Sequence, residues 1–421
     1  MTQTSRSQLR RLRVVVAGGG IAGVEALLAL RALTGEALAL TLLGPDDQLH
    51  YRPWSVLEPF STRAMRHYDV GEICEDLGVS HRRDALAALD ANERAVVTAA
   101  GERIEYDALV LAPGAHATAA LARAHTFFAD ADPESLHWIV RELEEGSVRR
   151  VAFVVPPGTT WPLPLYELAL LTAARARESG VDDAELTLLT PETEPLALFR
   201  GAGSAAVAQR LEAAGVAFAG DAYAHDYDGR TLAITPGERT LEAERVVALP
   251  VLSGPAIDGV ACDAHGFVHV DERGRVPGLA DVYAVGDATT FAIKQGGIAA
   301  QQADAVAALI ARAAGARVPL PSTRPLLRAV LFSGEGPLYL RATIAGGESV
   351  VSSASRHCPW WPPHKVAARH LAPYLADRDE SDRATARRHL YAVPPPGDDR
   401  DPVIHHDGDP SGVELLGRDG R

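Results

Sequence analysis

The sequence predicts an α/β protein built from two strand–helix–strand (βαβ) units with a small C-terminal region behind them. Three observations predict it. A β-branched run, Val14-Val15-Val16-Ala17, breaks at a cluster of glycines and gives way to apolar residues on a helical period. A second run of the same kind, Val151 to Val155, leads into another helical pattern and another strand. The chain has 421 residues, 47% of them hydrophobic and 23% charged, which fits globular domains and exceeds what one core usually organises.

Each element follows from its residues. Val14 to Ala17 reads as a buried parallel strand, Ile21 to Leu33 as a largely buried helix with only Glu25 and Arg31 charged, and Leu38 to Leu43 as the second strand. Arg10, Arg11 and Arg13 ahead of this run imitate a secretory leader, but the glycines, Glu25 and Arg31 inside it are spaced as strand, turn and helix. Ala95-Val96-Val97 and Ile104 to Leu111 form a meander that ends in a strand at Ala108 to Leu111. In the second unit, Val151 to Val155 is a strand, Leu165 to Arg177 a helix and Leu186 to Leu189 a strand. Further strands are expected at Leu232 to Ile234, Val246 to Leu249, Gly266 to Val270 and Asp281 to Val285, then an Ala-rich helix from Gly297 to Ala314. Ala329 to Phe332 and Leu338 to Leu340 suggest a small sheet, followed by Trp360-Trp361-Pro362-Pro363 and a short helix, Lys365 to Ala376. From Pro394 onward no apolar period survives, and that tail reads as disordered.

Composition removes several function classes. The net charge of −14 argues against a nucleic-acid partner, since phosphate backbones need clustered Lys and Arg. Cys74, Cys262 and Cys358 are an odd, scattered set without a CxxC, which points to a reducing cytoplasm and to buried inert thiols. No stretch is long and apolar enough to span a bilayer.

The strongest chemical signal is Gly18-x-Gly20-x-x-Gly23 at the first strand–helix turn. There Gly18 permits the tight turn, Gly20 lets a pyrophosphate approach the backbone, and Gly23 lets helix and strand pack closely. The helix N-terminus, with Gly19 and Ala22 beside it, presents free N–H groups and a positive dipole end to phosphate. The unit is therefore Rossmann-like and binds a dinucleotide. The ribose-binding acid expected at the end of the second strand is replaced by Gly44; Asp46 and Asp47 follow, either reaching the ribose from the loop or standing as solvated turn acids.

Two further segments carry a resemblance. Tyr106-Asp107-Ala108-Leu109-Val110-Leu111-Ala112-Pro113-Gly114-Ala115 resembles the strand-then-A-T-G segment of two-dinucleotide flavoproteins, and Asp281-Val282-Tyr283-Ala284-Val285-Gly286-Asp287-Ala288 resembles their second flavin motif, A-x-G-D-A. Over residues 12 to 310 the chain is identified as a member of the pyridine nucleotide-disulfide oxidoreductase superfamily. The resemblance implies non-covalent FAD, with Asp287 on the ribityl chain, Gly286 at its strand end, and Ala112, Pro113 and Gly114 against the cofactor. It also implies that the second Rossmann-like unit is inserted in the first: residues 1–116 and 256–320 for the flavin domain, 117–255 for the NAD(P)-type domain, 321–393 for the C-terminal region and 394–421 for the tail.

The branch follows from what is missing. His50-Tyr51-Arg52-Pro53-Trp54 resembles the Y-x-P loop of sulfide:quinone oxidoreductases and type II NADH dehydrogenases, which places Arg52 and Pro53 near the flavin; the alternative is a Pro-stiffened surface loop. Disulfide reductases carry CxxxxC in that stretch, and this chain has no cysteine there. Between Cys74 and Cys262 there is none either, so sulfide is a doubtful substrate. The second unit reads Pro156-Pro157-Gly158-Thr159-Thr160-Trp161-Pro162-Leu163-Pro164 where a glycine fingerprint is expected, and its prolines remove phosphate-binding donors. Glu167 and Ala169 nevertheless resemble the ExA of NAD(P)H-using relatives, so NAD(P)H stays open as donor.

Only two lysines occur, Lys294 and Lys365. Lys294, Gln295 and Gly296 stand just after the Asp287 motif, where a lysine and a helix N-terminus stabilise negative charge on a reduced flavin. Trp360 and Trp361 beside basic residues suit peripheral contact with the cytoplasmic face of a membrane, or packing on their own domain. The expectation is an oxidoreductase passing electrons from a small-molecule donor through FAD to an acceptor such as a quinone, with no metal. An NAD(P)H-dependent quinone or ferredoxin-type reductase and a non-catalytic FAD-binding module are the alternatives. No side chain stands out as acid, base or nucleophile, and nothing sets the oligomeric state.

Overall fold

The structure is a computed structural model that describes residues 11–60, 67–127, 133–345 and 348–378. Its first sheet has five parallel strands in the order Val282–Ala284, Ala108–Leu111, Leu12–Ala17, Leu38–Leu43, Ser80–Arg82. Val14, Val15, Val16 and Ala17 are buried on both faces of this sheet, which is why the strand reads as a continuous apolar run. The helices Ile21–Thr34 and Gly296–Ala313 lie side by side on one face. Ala299, Ala300, Ala303 and Ala307 give the second helix a small-residue face, so the two axes approach closely around Val24 and Leu27.

The second sheet is also parallel, in the order His125–Thr126, Arg245–Ala248, Arg150–Val154, Glu185–Leu189, Val216–Ala219. Its strands lie in sequence between Ala108–Leu111 and Val282–Ala284, which are neighbours in the first sheet. The second Rossmann-like unit is therefore inserted in the first. The helix Leu163–Glu178 covers this sheet and buries Leu165, Tyr166, Leu168 and Ala169. A third, antiparallel sheet, Leu326–Leu331, Leu338–Ala345 and Glu348–Ser355, packs behind it.

Two expected elements are corrected. Gly266 to Val270 is no strand; only Val268 forms isolated bridges, to Cys262 and Thr289. The Asp263 carboxylate accepts from the backbone N–H groups of His265 and Phe267 and fixes a turn instead. The helix expected from Lys365 begins only at Leu371 and runs to Arg378. Before it the backbone donates outward, Val366 to the Tyr51 hydroxyl and His370 to the Glu25 carboxylate, so no helical ladder forms. The strand Glu348–Ser355 was not foreseen, because its serines and its exposed Val350 and Val351 carry no alternation. Among the described residues no helix is long and apolar enough to cross a membrane. Arg10 and the tail from Pro394 lie outside the described residues.

Candidate functional site

Chain geometry at the first strand–helix turn fixes which glycines are required. Gly18 has φ +117°, and a Cβ there would stand 2.1 Å from the Ala112 carbonyl oxygen. A Cβ on Gly23 would stand 1.9 Å from the Gly18 oxygen. At Gly20, the residue preceding the helix, a Cβ would meet nothing within 4 Å. The first two glycines are thus demanded by packing, while the third keeps space open at a helix N-terminus. Gly44 closes the second strand against Gly19, whose N would lie 3.3 Å from a Cβ. That contact explains a glycine where an acid was expected. Asp47 is paired with Arg83 at 3.0 Å, whereas Asp46 is exposed in the same loop with no ion pair among the described residues.

The distant motif arrives at this turn. A Cβ on Gly286 would lie 3.2 Å from the Ala22 methyl, so the strand Val282–Ala284 delivers Gly286 and Asp287 to the start of the first helix. The Gly286 N–H is held by Gln302 Oε1 at 2.7 Å. Ala112 is buried beneath Gly18, while Pro113 and Gly114, the latter with φ +80°, lead out of the adjacent strand. The Asp287 carboxylate is half-buried and makes no hydrogen bond or ion pair among the described residues. Burial raises its pKa, against the opposing fields of Lys294 and Arg52. A carboxylate so placed can accept bonds from ligand hydroxyls. With the open space at Gly20, it fits a dinucleotide running from the glycine turn to Asp287.

Lys294 stands over the Phe267 ring at 4.0 Å and donates to the Thr289 carbonyl. Burial pushes its pKa down to about 8, with Asp287 and Asp263 acting in the other direction. Its backbone N–H reaches Thr160 Oγ1 of the second unit at 3.2 Å. Gln295 caps the helix Gly296–Ala313 by accepting from the Ile298 N–H, and its amide donates to the Arg328 carbonyl. Its side chain is therefore committed to structure, and its carbonyl accepts from the Ala299 N–H at 2.9 Å. Gly296 is pressed between Ile21 and Val366, each 3.0 Å from a Cβ built there. Arg52 and Pro53 open a 3-10 helix, Arg52–Phe60, with Arg52 exposed and its charge felt at Asp287.

The mouth of the second unit differs in kind. Pro162 occupies the residue before the helix Leu163–Glu178 and Pro164 follows inside it, which removes two amide donors. Trp161 packs on Phe199 with ring centroids 6.3 Å apart. Glu192, beyond the next strand, accepts from the Tyr166 hydroxyl at 2.6 Å, Thr190 Oγ1 at 3.1 Å and the Ala197 N–H at 2.9 Å. Both of its oxygens are engaged inside the protein.

Sequence reasoning missed the buried acids. Glu167 does not face a nucleotide; it is 0% exposed, 2.6 Å from Lys365 Nζ, and its other oxygen accepts from the Phe332 N–H at 2.9 Å. Burial raises Glu167 to about 7 and lowers Lys365, whose ammonium also lies 4.7 Å above the Phe332 ring. The scarcity of lysine was the available signal: both lysines are half-buried or buried near this site. The cysteines are free thiols, with Cys74 pushed up to about 11 and Cys358 up to about 12 by burial, so neither is a thiolate at neutral pH.

Residues 167–303 match the model of the pyridine nucleotide-disulphide oxidoreductase family. An NADH dehydrogenase-like protein of Mycobacterium tuberculosis is 33% identical over 113 residues, 25% of this chain and 27% of that protein. The match thus spans about a quarter of that relative's length. Among solved structures, the sulfide:quinone oxidoreductase of Aquifex aeolicus shares the fold with a TM-score of 0.72 at 19% identity, covering 89% of this chain and 91% of that one. The NAD-dependent persulfide reductase of A. fulgidus gives 0.57 at 17% identity over 80% and 65% of the two chains. A ferredoxin reductase of Rhodopseudomonas palustris gives 0.58 at 18% over 79% and 83%. The match to the pyridine nucleotide-disulphide oxidoreductase family thus covers residues 167–303, and across most of the chain the inserted two-Rossmann fold is the one these solved structures share.

Proposed function

We propose that the protein is a FAD-dependent oxidoreductase whose flavin takes electrons from a small-molecule donor and passes them to a second acceptor, a quinone in our reading. One observation carries it: Gly286 packs on Ala22, which brings the Asp287 carboxylate, without a hydrogen bond or ion pair among the described residues, to the glycine-turn end of the first helix. When bound, the flavin supplies the hydride and electron chemistry. The chain's part is to hold and bias it. Gly18 to Gly23 would hold the pyrophosphate, Asp46 would reach the adenosine ribose from its loop, and Asp287 would accept from the ribityl hydroxyls. Ala112 to Gly114 and Arg52-Pro53 flank the cofactor. Lys294 and the amide end of the helix at Gly296 stabilise negative charge at the ring edge. We assign residues 1–116 and 256–320 to the flavin domain, 117–255 to the inserted domain and 321–393 to the C-terminal region.

A second reading, NAD(P)H as donor, draws support from the NADH dehydrogenase-like relatives. Against it stand Pro162, Pro164 and the engaged Glu192 at the inserted domain's mouth. Trp361, 61% exposed, with Val350 and Val351, suits contact with a membrane surface on the cytoplasmic side. Anaerobic mixing of the purified protein with NADH, NADPH, sulfide and a quinol separates the readings. We expect the flavin band to bleach with a quinol and to persist with either nicotinamide. Rapid bleaching by NADH or NADPH replaces our donor with the second reading, and a flavin that no reductant cycles reduces the protein to a binding module.

A further inference from the structure

We propose that the protein carries a second ligand site, for a small organic carboxylate, in the cleft between the helix Gly201–Ala214 of the inserted unit and the third sheet. The cleft follows from how these two elements meet. Ser352 Oγ accepts from the Gly203 N–H at 3.2 Å and donates to the Arg200 carbonyl at 2.8 Å, which pins the edge strand Glu348–Ser355 to the start of the helix. Beyond that pin the walls carry Ala206 and Ala213 of the helix and Ala354 of the strand, whose methyl groups are too short to close the gap. The cleft measures about 370 Å³, within the range of about 300–1,000 Å³ usual for small-molecule sites. None of its lining residues belongs to the flavin site.

Charge gives the cleft its chemistry. Ala206, Gln209, Arg210 and Ala213 recur at the three- and four-residue spacing of one helix face, so Arg210 shares this space with the alanines. Its side chain is only 10% exposed, yet only Nη1 is engaged, by Glu335 at 2.6 Å and by Ser333 Oγ at 3.5 Å. Nε and Nη2 make no hydrogen bond among the described residues. Glu335 is itself 55% exposed, so water competes for it and its hold on Arg210 is weak. Arg356, just past the edge strand, also lines the cleft; it is exposed and has no ion pair among the described residues. The Ser355 hydroxyl is spent on the His357 backbone. Two arginines against one glutamate leave a surplus positive charge here, in a chain whose net charge is −14.

These features select the ligand. A guanidinium with Nε and Nη2 both unengaged matches the two oxygens of a carboxylate, the forked geometry in which arginine binds most strongly. Glu335 sits on the remaining nitrogen, so it is the resident partner of Arg210 and the competitor of an incoming anion. Leu338 and the three alanines offer methyl surface to an apolar body behind the carboxylate. No lining residue is an aromatic that could stack on a base or a glycine that could cradle a pyrophosphate, which sets the cleft apart from a nucleotide site. The cleft also joins two parts of the chain. Its helix belongs to the inserted unit, while the third sheet is tied to the helix Gly296–Ala313 through Gln295 on the Arg328 carbonyl and Gln301 on Leu326. A bound carboxylate would hold the inserted unit against that sheet.

Isothermal titration of the purified full chain with benzoate tests the site, with benzamide as the uncharged counterpart and inorganic phosphate as the anion without an apolar body. Benzoate should bind with a Kd of about 1 mM or tighter, and each counterpart about tenfold more weakly or worse. Arg210→Leu keeps an apolar stem on the helix and should weaken benzoate by about tenfold or more, and Arg356→Ala by about threefold. Glu335→Gln removes the competing carboxylate and should tighten benzoate by about fivefold. Absent benzoate binding, benzamide or phosphate binding as tightly as benzoate, or an affinity that either arginine variant leaves unchanged overturns the site. Should Arg210→Leu fail to fold, Glu335→Gln decides: an exposed glutamate is dispensable to the fold, and an affinity that does not rise overturns the site. Benzoate lodged in the flavin site instead would respond to none of these variants. The titration reads binding and not turnover, so a colourless protein would sink the functional reading and leave this site standing.

Discussion

Replacing Lys365 by Met asks how dry the Glu167 pair is. Both side chains are buried, at 0% and 7% exposure, and the ammonium sits 2.6 Å from the carboxylate. Removing one member of a buried pair leaves the other charge uncompensated and costs about 3–5 kcal/mol. Protonation of Glu167 sets an independent ceiling. Holding a carboxyl neutral at pH 8 against an ordinary value of about 4.3 costs about 1.4 kcal/mol per pH unit, or about 5 kcal/mol, and only about 1 kcal/mol at pH 5. Glu167 already stands above its ordinary range, so in Lys365→Met the stability is intact below about pH 4 and drains away as pH rises. Urea unfolding followed by circular dichroism at pH 5 and pH 8 measures the difference. The loss should be several-fold larger at pH 8, and Glu167→Gln combined with Lys365→Met should recover most of it, because a neutral pair has no charge to strand. Equal losses at the two pH values, or a loss under about 1 kcal/mol at pH 8, would mean that water reaches Glu167 and that the pair is not a dry contact.

Three other outcomes follow from the site. Asp287→Ala removes a charged acceptor worth about 1.5–3 kcal/mol, so FAD affinity should weaken by about 10- to 150-fold in a flavin titration. Gly20→Ala should leave the urea midpoint unchanged while lowering flavin content, since its Cβ meets no protein atom; Gly23→Ala should lower both, since its Cβ would stand 1.9 Å from the Gly18 oxygen. Lys294→Met should lower the two-electron potential of the bound flavin by about 40 mV if the ammonium stabilises the reduced ring by about 2 kcal/mol, which a redox titration reads directly.

Much of this architecture was legible because local pattern and global fold agree. Val14 to Ala17 and Val151 to Val155 are apolar throughout because both of their faces are covered, and the strand at Leu38–Leu43 falls where its residues indicate. The glycine spacing was readable because sterics leave no alternative at Gly18 and Gly23. What stayed hidden depends on partners far away in sequence. Glu167 looked like part of a nucleotide motif because nothing local announces Lys365, and Glu25 looked like one charge in an apolar helix because its donors are the amides of His370 and Leu371. The segment at 364–370 has helical residues but spends its N–H groups on Tyr51 and Glu25 instead of on its own carbonyls. Gln295 was assigned to the cofactor by neighbourhood, while its side chain serves the helix it begins.

The segment from Lys365 to Leu371, which reaches Glu167, Tyr51 and Glu25, bears on the order in which the molecule can be completed during synthesis. Tyr51, Glu25 and Glu167 all emerge from the ribosome well before residues 365 to 371, and each takes a buried hydrogen-bond partner from that segment. The two halves can collapse as they are made, but their seam stays wet until the last part of the fold is translated. A nascent chain stalled before that point presents three solvated polar groups along an unsealed joint, a natural foothold for chaperones and proteases.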